Sequence, residues 1–348
     1  MSRIYLDHAA TTPMRPEAIA AVEQGMRRWA NPSSPHAEGR AARAALEDAR
    51  ARIKAALGWD GELIFTSGAS EAIWIALNRS KAARRLVSAV EHDAVFAAAP
   101  GADVLPIDDW APDAGFLADW LARGDGVPLV AIQSVNSETG NILLFDETRT
   151  VREVGGLMLC DASQSAGKMP LPDADLIVVS AHKLGGPPGI GALLVRDLAT
   201  LEPAGGHEFG YRRGTENLPS ALGFAAALEA GGVESWGTSA EQRLDFRNAL
   251  FAHGEHLGGG MLCSHIFAAT MPMPAAAQLI RFDAMGFAVS AGSACSSGTL
   301  KPSRALAAFG VPAGEAAKAI RISIGWSTTP SDLEAFLDAR ASIMEGAA

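Results

Sequence analysis

The stretch DLIVVSAHKLGGPPGIGALLV (residues 175–195) sets two apolar runs, 176–180 and 191–195, on either side of a Gly/Pro-rich turn. Five-residue apolar runs bounded by such turns read as buried strands, because they are too short for helices. Working outward, the runs at 157–160, 129–135, 86–90 and 63–66 have the same character. Between them lie amphipathic or Ala-rich stretches, notably 37–57 and 70–78. Strands alternating with helical patterns predict an α/β domain around a mostly parallel sheet. Ligands of such sheets sit beyond the carboxyl ends of the strands. Residues that follow directly on these runs are therefore the candidates for chemistry.

After about residue 230 the texture changes. A polar segment at 234–242 precedes an Ala- and Gly-rich region. A short strand at 287–290, a helix at 303–309, a strand at 320–324 and a helix at 331–344 follow. This divides the chain into a large domain over 14–234 and a smaller α+β domain over 235–348, completed by the N-terminal segment 1–13. The length of 348 residues suits that division.

The formal net charge of −10 disfavours a nucleic-acid polyanion as the main ligand. No apolar run reaches the length of a membrane span. The N-terminus, MSRIYLDHAATTP, meets an acid and a histidine within its first eight residues, unlike the apolar core of a secretory signal. Three scattered cysteines do not make a disulfide framework, and a reducing, cytoplasmic setting is expected.

Lysine is scarce, and Lys54, Lys81 and Lys318 fall on or at the ends of helical stretches, where a solvated charge is the default. Lys183 differs, because it follows the run LIVVSAH and precedes LGGPPGIG. A lysine at the mouth of a buried strand is either a capping charge or a partly desolvated, nucleophilic amine. Its neighbours favour the second reading. Asp161 ends the run LMLCD, and Gln164 follows in DASQ. Pyridoxal phosphate needs a carboxylate on its ring nitrogen, since the pyridinium is the electron sink for a carbanion. Gln164 offers a hydrogen bond to the ring hydroxyl. The segment from Thr66 to Ser70, TSGAS, lies between a strand and a helix and offers N–H groups and hydroxyls to a phosphate. Ser180 and His182 flank the lysine as further donors, and His92, in VEHDAV, can stack on the ring.

The motifs YLDHAATTP, NPSSPHAEGR, FTSGASE, VEHDAV, VNSETG, CDASQSAGK, SAHKLGGPPGIGALLV, RRGTEN, GSACSSG and IRISIG closely resemble the cysteine desulfurases of the class V aminotransferase family. These are pyridoxal-phosphate enzymes of fold type I, with a large α/β domain and a smaller α+β domain. The resemblance runs in order from about residue 5 to residue 330, and ten motifs in sequence are specific where one alone is not. It implies that Lys183 carries the cofactor, Asp161 pairs with the ring nitrogen, Gln164 bonds the ring hydroxyl and His92 stacks on the ring. Ala69, Ser70, Ser180 and His182 would hold the phosphate, and Asn136 of VNSETG counts among the cofactor contacts. Thr215 of RRGTEN would reach the phosphate of a neighbouring subunit, which implies a homodimer. Arg321 of IRISIG would clamp the substrate carboxylate, assisted by Asn31 of NPSS; a guanidinium suits that bidentate task. Cys295 of GSACSSG would take sulfur from L-cysteine as a persulfide, leave L-alanine, and pass the sulfur to a protein acceptor. Its flanking Gly292 and Gly298 supply the mobility that this transfer needs. Lys183, Cys295 and His92 are thus the expected catalytic residues. Cys160, inside a strand run, reads as core, and Cys263 has no motif around it.

The chain departs from the family at Ser137, where a second asparagine is usual, and in a short, poorly matched segment at 236–286. It also ends soon after Arg340, where housekeeping members continue into a tail that docks an iron–sulfur scaffold. The sulfur acceptor, whether for iron–sulfur cluster assembly or tRNA thiolation, is left open. Three further readings compete with the desulfurase. His253, His256, Cys263 and His265 suggest zinc, but their spacing fits no standard finger. Another class V aminotransferase or lyase has no need of a loop thiol. A degenerate regulatory paralogue would not be expected to keep Lys183, Asp161, His92, Cys295 and Arg321.

Overall fold

The computed structural model describes residues 3–143, 146–252, 256–291 and 302–345. Its strands are β1 (Ile4–Tyr5), β2 (Glu62–Thr66), β3 (Arg84–Ser88), β4 (Asp103–Leu105), the small hairpin β5 (Ile107–Asp108) and β6 (Ala111–Pro112), and β7 (Pro128–Ala131). They continue with β8 (Leu157–Asp161), β9 (Leu176–Ser180), β10 (Gly191–Val195), β11 (Ile266–Thr270), β12 (Phe287–Ala288) and β13 (Ala319–Ser323).

Seven of them form the main sheet in the order β2-β10-β9-β8-β7-β3-β4. Six run parallel, and β10 runs antiparallel to both of its neighbours. The exception has a length argument behind it. The link from β9 to β10 covers only residues 181–190, too short for the helical crossover that a parallel return needs. The central strands β9 and β10 are buried along their whole length, as expected of strands covered on both faces. The helix Ala37–Leu57 shows how a cover is made. Ala42, Leu46, Ala49, Ile53 and Leu57 form one buried stripe, His36 caps its start and Gly58, at φ 65°, ends it. This helix packs against Leu218–Glu229, which is apolar nearly all round and lies between Ala37–Leu57 and Pro16–Met26.

A second apolar cluster gathers Leu6, Phe246, Phe267, Phe282, Phe287 and Phe336. It is framed by the antiparallel pair β11–β13, by the parallel pair β1–β12 and by the helices Ala240–Phe251, Ala275–Ala284 and Pro330–Glu345. The rings of Phe282 and Phe336 stack at 4.9 Å. Ala305, Leu306, Phe309 and Val311 belong instead to the core of the main sheet. The sequence reading of this region did not include the helices Ala240–Phe251 and Ala275–Ala284 or the strand β11. The polar segment at 234–242 opens the helix Ala240–Phe251 through a capping box of Ser239 and Gln242. The strand β11 is built of IFAAT, too poor in large side chains to stand out from its Ala-rich surroundings. Among the described residues no helix is long and apolar enough to cross a membrane.

Candidate active site

Three register facts place the chemistry. Gly191, at the start of β10, pairs with Thr66 at the end of β2 and with Ser180 at the end of β9, while Asp161 ends β8 beside Val178. The carboxyl ends of the parallel strands therefore open onto one edge of the sheet, and a cavity of about 780 Å³ lies there. A Cβ on Gly191 would lie 2.9 Å from the backbone of Gly68, so only glycine lets the TSGAS turn come this close. That turn leads into the helix Ala69–Arg79, whose N-terminal residues Ala69 and Ser70 line the cavity.

His92, Asn136, Asp161, Gln164, Ser180, His182, Lys183 and Arg321 line the same cavity. Thr215 and Asn31 do not; both are exposed on the surface. Their two loops nevertheless meet, through Ser33 Oγ and His207 Nδ1 at 3.4 Å and through the contact of His207 Nδ1 with Glu216 Oε1 at 3.2 Å. Asn31 and Arg321, expected together on a substrate carboxylate, are thus not brought together within one chain.

Lys183 follows β9 in a short 3₁₀ turn, and its Nζ donates to the carbonyls of Ala9 and of Ala10, the latter at 2.9 Å. Burial, and then the Arg321 guanidinium, pull its pKa from 10.5 down to about 8, against the opposing pull of Asp161 and Asp7. The Ala9 carbonyl also accepts from Gln164 Nε2 at 3.0 Å, which leaves Gln164 Oε1 buried without a partner. His182 Nδ1 meets Thr11 Oγ1 at 3.1 Å; burial and the two nearby lysines lower its pKa to about 4, so the ring is neutral. His92 caps the helix Asp93–Ala98 by accepting from the Ala94 N–H. Asn136 spends its Oδ1 on the N–H groups of Glu138 and Thr139, and so shapes the VNSETG turn as well as lining the cavity.

Arg321 lies on β13, with Nη1 donating to the Ser137 carbonyl at 3.0 Å and Nη2 to Asp7 Oδ1 at 2.8 Å. Its Nε is buried and unpaired. Sequence reasoning missed the acid side of this arrangement. Glu91, beside His92, is fully buried, and burial and then Asp161 push its carboxyl well above the usual range. Glu138 is also pushed up by burial and accepts from Ser303 Oγ at 2.6 Å. The only sequence signal for either was an acid next to a motif residue.

Cys295 and His253 lie outside the described residues. The chain is described up to Ala291 before this segment and from Pro302 after it, and Ser290, Pro302, Ser303 and Arg304 line the cavity. Arg304 is fixed there by the carbonyls of Ala89 and Glu91 and by the ring of Phe96, 3.9 Å away. Cys160 and Cys263 are buried, and burial pushes both thiols up. His265 contacts the Gln164 carbonyl at 2.9 Å, and His256 packs on Phe251. Among the described residues no three His, Cys, Asp or Glu side chains gather as a metal site would require.

Pyridoxal phosphate fits this donor set. The cavity wall holds one orphaned amide oxygen on Gln164, a helix start that glycine allows close in, and a carboxylate at Asp161. It also holds a half-buried amine of lowered pKa at Lys183. Comparison with known proteins agrees. Residues 4–253 match the aminotransferase class-V family. An IscS-like cysteine desulfurase of Mycobacterium tuberculosis is 37% identical, over 96% of this chain and 94% of that protein. The cysteine desulfurase IscS of Dictyoglomus turgidum is 34% identical, over 98% and 94%. A solved NifS-like protein from Rickettsia africae superposes with a TM-score of 0.89 at 27% identity, covering 99% of each chain. The chain belongs to the class-V aminotransferase family and, within it, to the group of cysteine desulfurases.

Proposed function

We propose that this protein removes sulfur from L-cysteine with pyridoxal phosphate, giving L-alanine and a persulfide on Cys295 for a protein acceptor. The observation that carries this is the cavity at the carboxyl edge of the sheet. It gathers Lys183, Asp161, Gln164 and Arg321 and has the described flanks of the GSACSSG segment on its rim. Asp161 would hold the ring nitrogen and Gln164 the ring hydroxyl. Ala69, Ser70, Ser180 and His182 would hold the phosphate and His92 the ring face, with Asn136 shaping the wall beside them. When bound, the cofactor supplies the sink for the electron pair released at the substrate Cα.

The chain's own groups do the rest. Arg321, with Nε unpaired, receives the substrate carboxylate. Lys183, partly a free amine near neutral pH, takes the proton from Cα and returns it. Cys295 is five residues from Ser290 and seven from Pro302. At no more than ~3.6 Å per residue, the chain tethers its thiol within reach of the cavity. Its thiolate attacks the substrate sulfur, so that an S–S bond forms and the C–S bond breaks. The electron pair of the broken bond stays with the carbon, which a proton then completes to a methyl group. The decisive assay is the reaction itself. Purified protein with the cofactor and L-cysteine should form alanine and, with a thiol reductant, sulfide in equal amounts. Keto-acid formation without sulfide would assign a transaminase.

The exposed Thr215 and Asn31, linked through Ser33 and His207, support a homodimer in which both loops meet the partner's cavity. Thr215→Ala should weaken cofactor retention severalfold, measured by dialysis and absorbance. A fully active monomer in sedimentation would refute the shared site.

A further inference from the structure

Under the proposed reading His92 stands at the ring face of the cofactor. Among the described residues its own ring has one hydrogen bond, accepted at Nδ1 from the Ala94 N–H at 3.1 Å. That donor belongs to the same stretch of chain, where β3 passes into the helix Asp93–Ala98. Whatever fixes this loop therefore fixes the ring.

The backbone carbonyls show what does so. The Ser88 carbonyl accepts from the Glu91 N–H at 3.1 Å and the His92 carbonyl from the Val95 N–H at 2.9 Å. The Val90 carbonyl accepts from the side chains of Gln133 and Asn136. Ala89 and Glu91 remain, and among the described residues both of their carbonyls are served by one distant side chain. Arg304 Nη1 donates to the Ala89 carbonyl at 2.5 Å, and Nη2 donates to that of Glu91. Nη2 also lies 3.1 Å from Asp93 Oδ1, though both side chains are exposed and this ion pair adds little. The guanidinium carbon stands 3.9 Å from the centre of the Phe96 ring, one turn further on. Arg304 thus grips the residue before His92, the residue after it and the helix that follows.

The arm has a firm base. Ser303 Oγ accepts from the Leu306 N–H at 2.9 Å and donates to Glu138 Oε2 at 2.6 Å. Ala305, Leu306 and Phe309 pack in the core of the main sheet, and the Phe309 ring stacks on Trp110 at 4.8 Å. Arg304 itself is exposed at the cavity, where water can take over both carbonyls. Its loss should therefore cost the loop its order and leave the fold's stability nearly unchanged.

We propose that Arg304 is a positioning residue for His92: its guanidinium spans the two carbonyls that the loop leaves open and so holds the imidazole in place at the cavity. The inference rests on the reading of His92 as the residue at the ring face, but its first test does not. In cofactor-free protein, hydrogen exchange with mass spectrometry should find the amides of Ala94 and Val95 about tenfold faster in R304M and R304Q, the mark of local opening. The amides of β9 should exchange as in the wild type. Faster exchange in β9 as well would mean a general loss of stability. That outcome, or no change at Ala94 and Val95, overturns the proposal.

The second test is a double-mutant cycle with cofactor and L-cysteine. R304M alone should lower alanine formation about tenfold, the scale of a displaced catalytic group. In an H92A background the same substitution should lower it by less than about twofold, because a residue that acts through His92 then has nothing to position. Arg304 also stands nine residues after Cys295. Equal losses in the two backgrounds would assign it a role through that thiol and overturn the proposal, as would no loss in either. If Ala94 and Val95 loosen but the wild type forms no alanine, the functional reading falls and the positioning of His92 stands. If alanine forms and exchange is unchanged, the positioning falls alone.

Discussion

Cys295→Ser protein should bind pyridoxal phosphate normally and show the wild-type spectral change when cysteine is added, yet form alanine at least about a hundredfold more slowly. That is the scale expected when a covalent nucleophile is removed. The separation follows from position. Lys183, Asp161, Gln164 and Arg321 line the cavity whatever stands at position 295, so cofactor and substrate binding need no second thiol. Only departure of sulfur from the substrate needs it. Cys160→Ser and Cys263→Ser should retain most activity, because both thiols are buried and burial holds both in the unreactive protonated form. Wild-type rates from Cys295→Ser, or a persulfide mapped by mass spectrometry to Cys160 or Cys263, would remove Cys295 from the mechanism.

Lys183→Ala should abolish the borohydride-trapped lysine adduct and the yellow colour of the bound cofactor. It should also lower alanine formation by a factor on the order of 10²–10⁴, the contribution of a positioned base. The change removes the donor to the Ala9 and Ala10 carbonyls, so the N-terminal segment loses one tie to the site. The fold should survive. Thr12 Oγ1 still bonds the backbone carbonyl of residue 183, and the Thr12 N–H still bonds that of His182. A normal adduct in this variant, mapped to any other lysine, would overturn the site as a whole.

Much of this was legible in the amino-acid order. Short apolar runs bounded by Gly/Pro turns marked six of the seven strands of the main sheet, and the alternation with helical stretches marked its mostly parallel character. Lys183, Asp161 and the TSGAS turn each follow directly on such a run. Strand ends are local features, and in a parallel sheet they point to one edge. The sequence alone thus placed Lys183, Asp161 and the TSGAS turn on one side of the molecule. Where a signal was short or mixed, it failed. The edge strand β4 is the three residues DVL, and β11 is IFAAT. The run at 129–135 is strand only to Ala131, after which Gln133 and Val135 leave the ladder to line the cavity.

Other features were decided only by the tertiary structure, because they depend on residues far apart in the chain. The Ala9 and Ala10 carbonyls meet Lys183 across more than 170 residues, and Asp7 meets Arg321 across more than 300. No periodicity encodes a contact of that span. It appears only when β1 and β13 bring the N-terminal segment over the sheet edge. Burial is a property of the same kind. In sequence, Glu91, Glu138 and Lys168 are ordinary charged residues, and each would be solvated on an isolated helix or turn. Packing removes the water, and the loss of hydration pushes both carboxyls up and the amine down, to about 7. The order of residues determined which groups are present and on which edge they stand; the fold determined in which direction the acidity of each is shifted, because hydration is lost only when distant segments close over it.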